Sequence, residues 1–275
     1  MIPSHLSYST LNQWQCQKAF QLGKIVEAPP KPAVYFAGGS AVHAATEDHD
    51  RGDRVMGTWE SYFYPEVSRG MEDHGGAHWD TKQWMMGGSL SDPETPESWM
   101  TIGPQCVSNW VKFTATEFSV TDIEVDVTTT LPGCPVPIKG FVDRTGVHVE
   151  HNDMIIDVKS GRNKPKDPLQ LGVYHALMLH RNGWAPDKGA YFMAREGRII
   201  GKPVDLTIYT PEMIGAMFGD IYAEMVEAER TGDYPANRRF ECKFCVQQNN
   251  CLTYTGETKQ AKHYDPNYRE GKVSF

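Results

Sequence analysis

The sequence predicts an α/β fold in which a mixed central sheet is flanked by helices, and three observations carry that reading. The stretch from Val120 to Lys159 reads as three successive strands, an amphipathic helix from Pro168 to His180 follows, and a further strand centres on Tyr191-Phe192-Met193. Strands and helices in that order pack most simply as one sheet covered by helices. With 275 residues, 40% of them apolar and 23% charged, the chain has the make-up of a globular protein and can bury one sizeable core.

The elements follow from local signals. Ser7 to Thr10 supplies capping hydroxyls for a helix running to about Gly23, with Cys16 in its middle. Pro29, Pro30 and Pro32 break the chain before a second helix from about Gly39 to Asp50. Between Arg51 and Gln105 the rings Trp59, Tyr62, Phe63, Tyr64, Trp79, Trp84 and Trp99 are scattered among glycines and acids. That segment reads as an irregular helical insert covering the active site, its rings forming a small core or offering stacking surfaces. His74 and His78 are four apart, but Gly75 and Gly76 between them argue against a helix, and no metal is assigned there.

Gln105 to Phe118 reads as a helix, and Val120 to Leu131 as the first strand, with Glu124 near its start. Pro132-Gly133 supplies a turn. The second strand runs from Pro137 to Arg144 and the third from Met154 to Lys159; Val204 to Ile208 is a further strand and Pro211 to Glu229 a final helix. The expected organisation is one domain over 1–275. It comprises an N-terminal helix (1–34), a helical region with its insert (35–118), an α/β core (119–232), a cysteine-bearing segment (233–254) and a tail (255–275).

No apolar run is long enough to span a bilayer, and Met1 to His5 shows neither a basic stretch nor an apolar signal core, so a cytoplasmic protein without membrane contact is expected. The net charge of −8, from 27 basic and 35 acidic residues, argues on its face against a polyanionic partner. Its distribution matters more. Lys159, Arg162, Lys164 and Lys166 crowd one stretch, Arg195, Arg198 and Lys202 a second, and Arg238, Arg239 and Lys243 a third. Each alone reads as a solvated loop, but the first adjoins the candidate site, where a phosphate backbone would lie.

In the third strand, alternation places Asp157 and Lys159 on one face and Ile156 and Val158 on the other. An isolated acid and base so spaced is ordinarily a surface ion pair worth about 0 to 1 kcal/mol. Here Asp143 stands on the neighbouring strand behind Gly140, which permits close approach of backbone or ligand, and two carboxylates can share a divalent cation. Two carboxylates, a cation and a lysine suit phosphodiester hydrolysis. On the second helix His43 and Glu47 share a face; a lone helical histidine is ordinarily structural.

Gly140-Phe141-Val142-Asp143-Arg144, Ile155-Ile156-Asp157-Val158-Lys159-Ser160-Gly161, Gln170-Leu171-Gly172-Val173-Tyr174 and Gly39-Ser40-Ala41-Val42-His43 together resemble the PD-(D/E)XK nuclease superfamily in its RecB-like branch. The pieces correspond to that branch's G-x-x-D-R, I-x-D-x-K-[TS]-G, Q-x-x-x-Y and G-x-x-x-H elements, in the branch's order, and the likeness covers roughly residues 4 to 254. The resemblance implies a restriction-endonuclease-like core. It implies Mg²⁺ or Mn²⁺ held by His43, Asp143, Asp157 and the backbone carbonyl of Val158, with Lys159 beside the attacking water and Gln170 and Tyr174 positioning the strand.

Cys242, Cys245 and Cys251 form a C-x2-C-x5-C run that needs a fourth ligand, for which Cys16 is the natural candidate; Cys106 and Cys134 fit no such spacing. Four thiolates suit tetrahedral zinc and an iron-sulfur cluster alike, and ligand chemistry alone does not choose. The chain is similar here to AddB-like and CRISPR-associated RecB-like exonucleases, phage members among the expected relatives, and that likeness implies a 4Fe-4S cluster. Cys16 and Cys242 lie near opposite ends of the chain. Closing a loop of that length costs on the order of 5 kcal/mol in entropy, so such a group can serve as a structural clasp.

The expected function is a metal-dependent DNA nuclease, an exonuclease on single strands or duplex ends in recombination, repair or phage DNA metabolism, with possible protein partners in such an assembly. The competing reading is a nuclease-like module that grips DNA ends or a partner protein. Intact Asp143, Asp157 and Lys159 argue for chemistry.

Overall fold

The computed structural model describes residues 2–52, 57–73, 84–85, 87–89, 92–237, 242 and 244–252. His74, His78 and Trp79, the basic group Arg238, Arg239 and Lys243, and the tail lie outside the described residues. The chain opens with β1 (Leu6–Ser7), α1 (Tyr8–Trp14) and α2 (Gln17–Phe20), which runs into a π-helical turn at Gln21–Ile25. α3 (Val34–Arg51) and α4 (Trp59–Asp73) precede an antiparallel pair, β2 (Gly87–Ser89) and β3 (Asp92–Glu94), and then α5 (Pro96–Thr116). The core follows as β4 (Phe118–Asp126), β5 (Ile138–Lys139), β6 (Phe141–His148), β7 (Asn152–Lys159), α6 (Leu169–Asn182), β8 (Lys188–Met193), β9 (Arg198–Ile199), β10 (Val204–Asp205) and α7 (Pro211–Thr231).

The fold is a mixed α/β arrangement, as the element order predicts. Six strands form one sheet in the order β10-β8-β7-β6-β4, with β9 beside β8. β4, β6 and β7 are antiparallel neighbours; β7 and β8 are parallel, joined through α6. Two apolar layers sandwich the sheet. Met154, Ile156 and Val158 of β7 and Ala190 and Phe192 of β8 pack with α3, α4 and α5. Ile155, Tyr191 and Met193 face the other way, onto α6 and α7. The alternation read from β7 therefore holds, although both faces are buried, as expected of a central strand covered by helices on either side.

Several expectations are corrected. The first helix does not run to Gly23: Cys16 is extended, with φ −132°, so α1 ends at Trp14 and α2 begins afresh. The break lets this segment dock on the C-terminal one, where Lys18 N–H donates to the Pro235 carbonyl and Asn237 N–H to Cys16 Sγ. α3 starts at Val34 rather than Gly39, since Pro32 and not the glycine pair sets its boundary.

The stretch read as an irregular insert contains α4 and the first part of α5, up to Gln105. α5 begins at Pro96, ahead of the expected Gln105, because Thr95 and Ser98 form a reciprocal capping box with proline at the first helical position. Trp59, Phe63, Trp84 and Trp99 are buried, so these rings are core and not stacking surfaces.

The first strand stops at Asp126, whose carboxylate accepts the Thr128 N–H and turns the chain. The expected second strand divides at Gly140: β5 pairs in parallel with β1, while β6 joins the main sheet. A Cβ at Gly140 would lie 2.7 Å from Leu177 Cδ1 and 2.9 Å from Val127 Cγ2. What comes close there is the core, not a ligand. Val204 to Ile208 contributes only the two-residue β10, because Asp205 caps the turn by accepting the Thr207 N–H.

Candidate active site

The site lies where β6 and β7 part company. Their pairing runs from His148↔Asn152 to Arg144↔Ile156 and ends there, and into the gap Asp143 turns its carboxylate, which accepts the Val158 N–H at 2.9 Å. Since N–H and C=O of one strand residue point to the same side, the Val158 carbonyl also faces this opening. Val158 lines the cleft above it, together with His43, Glu47, Glu124 and Lys159.

His43 reaches the same point from α3, its Nδ1 3.5 Å from Asp143 Oδ2. Glu124 arrives from β4, where the register Ile123↔Arg144 and Val125↔Val142 places it opposite Asp143. Among the described residues, His43, Glu124 and Asp143 form a group whose ligand atoms all lie within 4.8 Å of one another. An imidazole and two carboxylates at that spacing can hold one divalent cation, and the oxygen-rich donor set suits Mg²⁺ or Mn²⁺.

Glu124 is the residue that sequence reasoning missed. Its backbone has φ 50°, in the left-handed region that L-residues rarely occupy, and such strain concentrates at functional sites. Burial, then the charges of Asp143 and Glu47, push its carboxyl pKa up to about 7. Nothing in the alternating acids Asp122, Glu124 and Asp126 singles out the middle one, since the run reads as a solvated strand face.

Asp157 lies beside this group rather than in it. It is 1% exposed, and its Oδ2 sits 2.7 Å from Lys159 Nζ, as the shared strand face implies. That contact is a close ion pair between a buried carboxylate and the ammonium. Burial raises the Asp157 pKa and Asp143 adds to the effect, against the pull of Lys159. For Lys159 burial alone would lower the pKa, but the charges of Asp157 and Asp143 outweigh it and raise it. Lys159 Nζ also donates to Gln170 Oε1 at 3.1 Å, and Gln170 Nε2 donates to the Tyr174 hydroxyl at 2.8 Å. One turn of α6 thus sets the ammonium.

The basic stretch after β7 is largely committed within the protein. Arg195 grips the buried Glu94 with both terminal nitrogens, at 3.0 and 2.9 Å, and Arg162 pairs with Glu94 at 2.6 Å and Asp92 at 3.0 Å. Lys164 donates to the Ile200 carbonyl at 2.8 Å; Lys166 is exposed. The expected phosphate-facing stripe is therefore mostly a set of internal ties.

Cys16, Cys242 and Cys245 line one pocket. Burial raises the Cys245 thiol pKa, with smaller contributions from Cys16, Cys251 and Cys242, so the four predicted ligands are neighbours. They do not form a compact ligand set: among the described residues no three of their sulfurs gather within 4.8 Å. Tetrahedral zinc, with Zn–S bonds of about 2.3 Å, needs sulfurs roughly 3.8 Å apart, and this spacing is not met. Cys106 and Cys134 are buried in the two apolar layers, away from this pocket.

Comparison with known proteins bears on the whole assembly. The family model of the PD-(D/E)XK nuclease superfamily matches residues 5–251. The Gene 69 protein of Mycobacterium phage D29 is 28% identical over 273 residues, covering 90% of this chain and 96% of that protein. Among solved structures, SSO0001 aligns over 86% of this chain and 96% of its own, with 13% identity and a TM-score of 0.35. No helix among the described residues is long and apolar enough to cross a membrane.

Proposed function

The chain belongs to the PD-(D/E)XK nuclease superfamily and is a metal-dependent nuclease acting on DNA, and on that premise we propose that it is an exonuclease using Mg²⁺ or Mn²⁺ on single strands or duplex ends. The observation that carries the assignment of roles is the meeting of His43, Glu124 and Asp143 at the parting of β6 and β7, with the Asp157–Lys159 pair alongside.

In this reading His43, Glu124, Asp143 and Asp157 hold the cation together with the Val158 carbonyl. The bound metal supplies a Lewis acid and an activated water. Lys159, fixed between Asp157 and Gln170, sets its ammonium toward the charge that grows on the phosphate. Gln170 and Tyr174 hold that lysine and the strand in register. Asp157 is assigned with them because it is buried beside Asp143, whose charge adds to the rise of its pKa, and a cation held between the two carboxylates would relieve that repulsion.

We also propose that Cys16, Cys242, Cys245 and Cys251 hold a 4Fe-4S cluster that clasps the chain ends. Cys16, Cys242 and Cys245 line one pocket and Cys251 acts on Cys245 from nearby, and a multi-iron group is larger than the single-ion spacing these sulfurs fail to meet. Iron and sulfide assays with the visible spectrum of protein purified anaerobically test it: brown protein losing its colour on Cys245→Ala is expected, and colourless, iron-free protein overturns it.

The nuclease assignment is tested with end-labelled single-stranded and blunt duplex DNA in Mn²⁺ and in chelator. Metal-dependent release of mononucleotides or short products from an end, lost in Lys159→Ala, is the expected result. Products arising from internal sites on circular DNA overturn the exonuclease proposal, and tight binding without cleavage favours a binding module. A setting in recombination, repair or phage DNA metabolism is consistent with the phage relative and stays within the proposal.

A further inference from the structure

Phe36 is 58% exposed, the most exposed aromatic residue among the described residues. On α3, positions 36, 40, 43 and 47 follow one another by four, three and four residues and so share a face. Phe36, Ser40, His43 and Glu47 accordingly line one open cleft of about 690 Å³ with Glu124 and Lys159. Tyr35 braces the ring edge-on, with centroids 4.7 Å apart. The flanking Val34 and Ala37 are buried, so the helix is firmly seated and Phe36 is turned outward by its place on it.

We propose that Phe36 is a base-stacking platform that seats an unpaired nucleotide of the substrate strand beside the metal centre and thereby favours single-stranded over duplex DNA. The inference rests on the nuclease reading for the identity of the ligand. The disposition of charge supports it. Arg162, Arg195 and Lys164, which would otherwise neutralise phosphates next to the site, are tied to Glu94, Asp92 and the Ile200 carbonyl. With a net charge of −8, affinity that depended on phosphate neutralisation would be weak. A stacked base adds affinity through its face, whatever its sequence. In a duplex both faces of each internal base are covered by neighbours, so only an unpaired or terminal base can use the ring.

The test measures binding by fluorescence anisotropy in Ca²⁺, with labelled short single strands, the same strands carrying one abasic site at successive positions, and a blunt duplex. Phe36→Ala is expected to weaken single-strand binding about 5- to 160-fold, the range that loss of one stacked base gives, and to leave duplex binding within about twofold. Phe36→Trp is expected to retain it. At one position the abasic site should cause the same loss in the wild type and no further loss in Phe36→Ala. An unchanged thermal midpoint shows that the variant folds. Equal losses on single strand and duplex, or wild-type binding indifferent to abasic sites at every position, overturn the proposal. Cleavage is scored separately: Mn²⁺-dependent cleavage without the Phe36–abasic coupling keeps the nuclease and removes the platform, and coupling without cleavage does the reverse.

Discussion

Arg144 and Asp50 form an ion pair in which neither side chain is more than 1% exposed. Arg144 also donates to the Asp143 carbonyl at 2.7 Å and to Thr46 Oγ1 at 3.3 Å, while Asp50 accepts the Trp110 indole N–H at 2.9 Å. The pair therefore ties β6 to α3 and α5 one residue from Asp143 and two turns along α3 from His43. It fixes the spacing of two candidate ligands that come from distant parts of the sequence.

Removing one partner of such a pair strands a buried charge, which costs about 3 to 5 kcal/mol. Asp50→Ala and Arg144→Met are predicted to lower the unfolding free energy by that order in urea titrations. Metal affinity measured by calorimetry should fall in whichever variant remains folded. A loss below about 1 kcal/mol, the value of an exposed pair, would contradict the burial seen here.

Glu124 predicts how stability depends on pH. Its folded pKa of about 7 lies above the ordinary value of 4.5, so the folded protein binds more protons than the unfolded chain between those limits. Where that holds, stability falls as pH rises. The metal-free protein is expected to lose thermal stability from about pH 4.5 to 7 through this group, and added Mn²⁺ should recover more of it at the upper end, where the carboxylate is charged. Glu124→Gln is predicted to flatten the slope, stabilise the metal-free protein at pH 7.5 and weaken metal binding. A variant with the wild-type slope would show that the group does not titrate in this window.

The legible parts of this chain are those whose pattern is decided locally. β7 carries its alternation within one strand, and the spacing of His43 from Glu47 and of Gln170 from Tyr174 is fixed by helix geometry. α4 and the start of α5 were obscured by Pro65 and Pro104, which normally break helices but here sit inside them while tryptophans on the same helices bury themselves. Glu124 and the Asp50–Arg144 pair depend on which strand and helix lie opposite, information that periodicity does not contain. The commitment of Arg162 and Arg195 to Glu94 was hidden for the same reason.

Packing of α3 gives a sharper test than its chemistry. A Cβ on Gly38 would lie 2.3 Å from Trp99 Cδ2, and Trp99 is fully buried and cannot yield. Gly38→Ala, a change that favours a free helix by roughly 1 kcal/mol, is predicted instead to destabilise the protein by about 1 to 3 kcal/mol through overpacking. Differential scanning calorimetry would register a lower melting temperature. Because α3 carries His43 and Phe36, the same variant should also weaken both metal and single-strand binding. A raised melting temperature would mean that α3 and α5 are not packed as described.

Lys159, Gln170 and Tyr174 form a graded series. The Tyr174 hydroxyl accepts from Gln170 Nε2 and so keeps Gln170 Oε1 turned toward the ammonium. Tyr174→Phe removes only that orienting acceptor, and a single such hydrogen bond is worth about 0.5 to 1.5 kcal/mol, so cleavage should slow roughly 2- to 13-fold. Gln170→Ala removes the contact to Lys159 itself and is predicted to cost more, while Lys159→Ala should abolish detectable turnover. Metal affinity should stay near the wild-type value in Tyr174→Phe and Gln170→Ala, since the hydrogen bonds lost run among Tyr174, Gln170 and Lys159 and not to His43, Glu124, Asp143 or Asp157. Rates that fall in step with metal affinity across the series would instead make Gln170 and Tyr174 supports of the cation site rather than of the lysine.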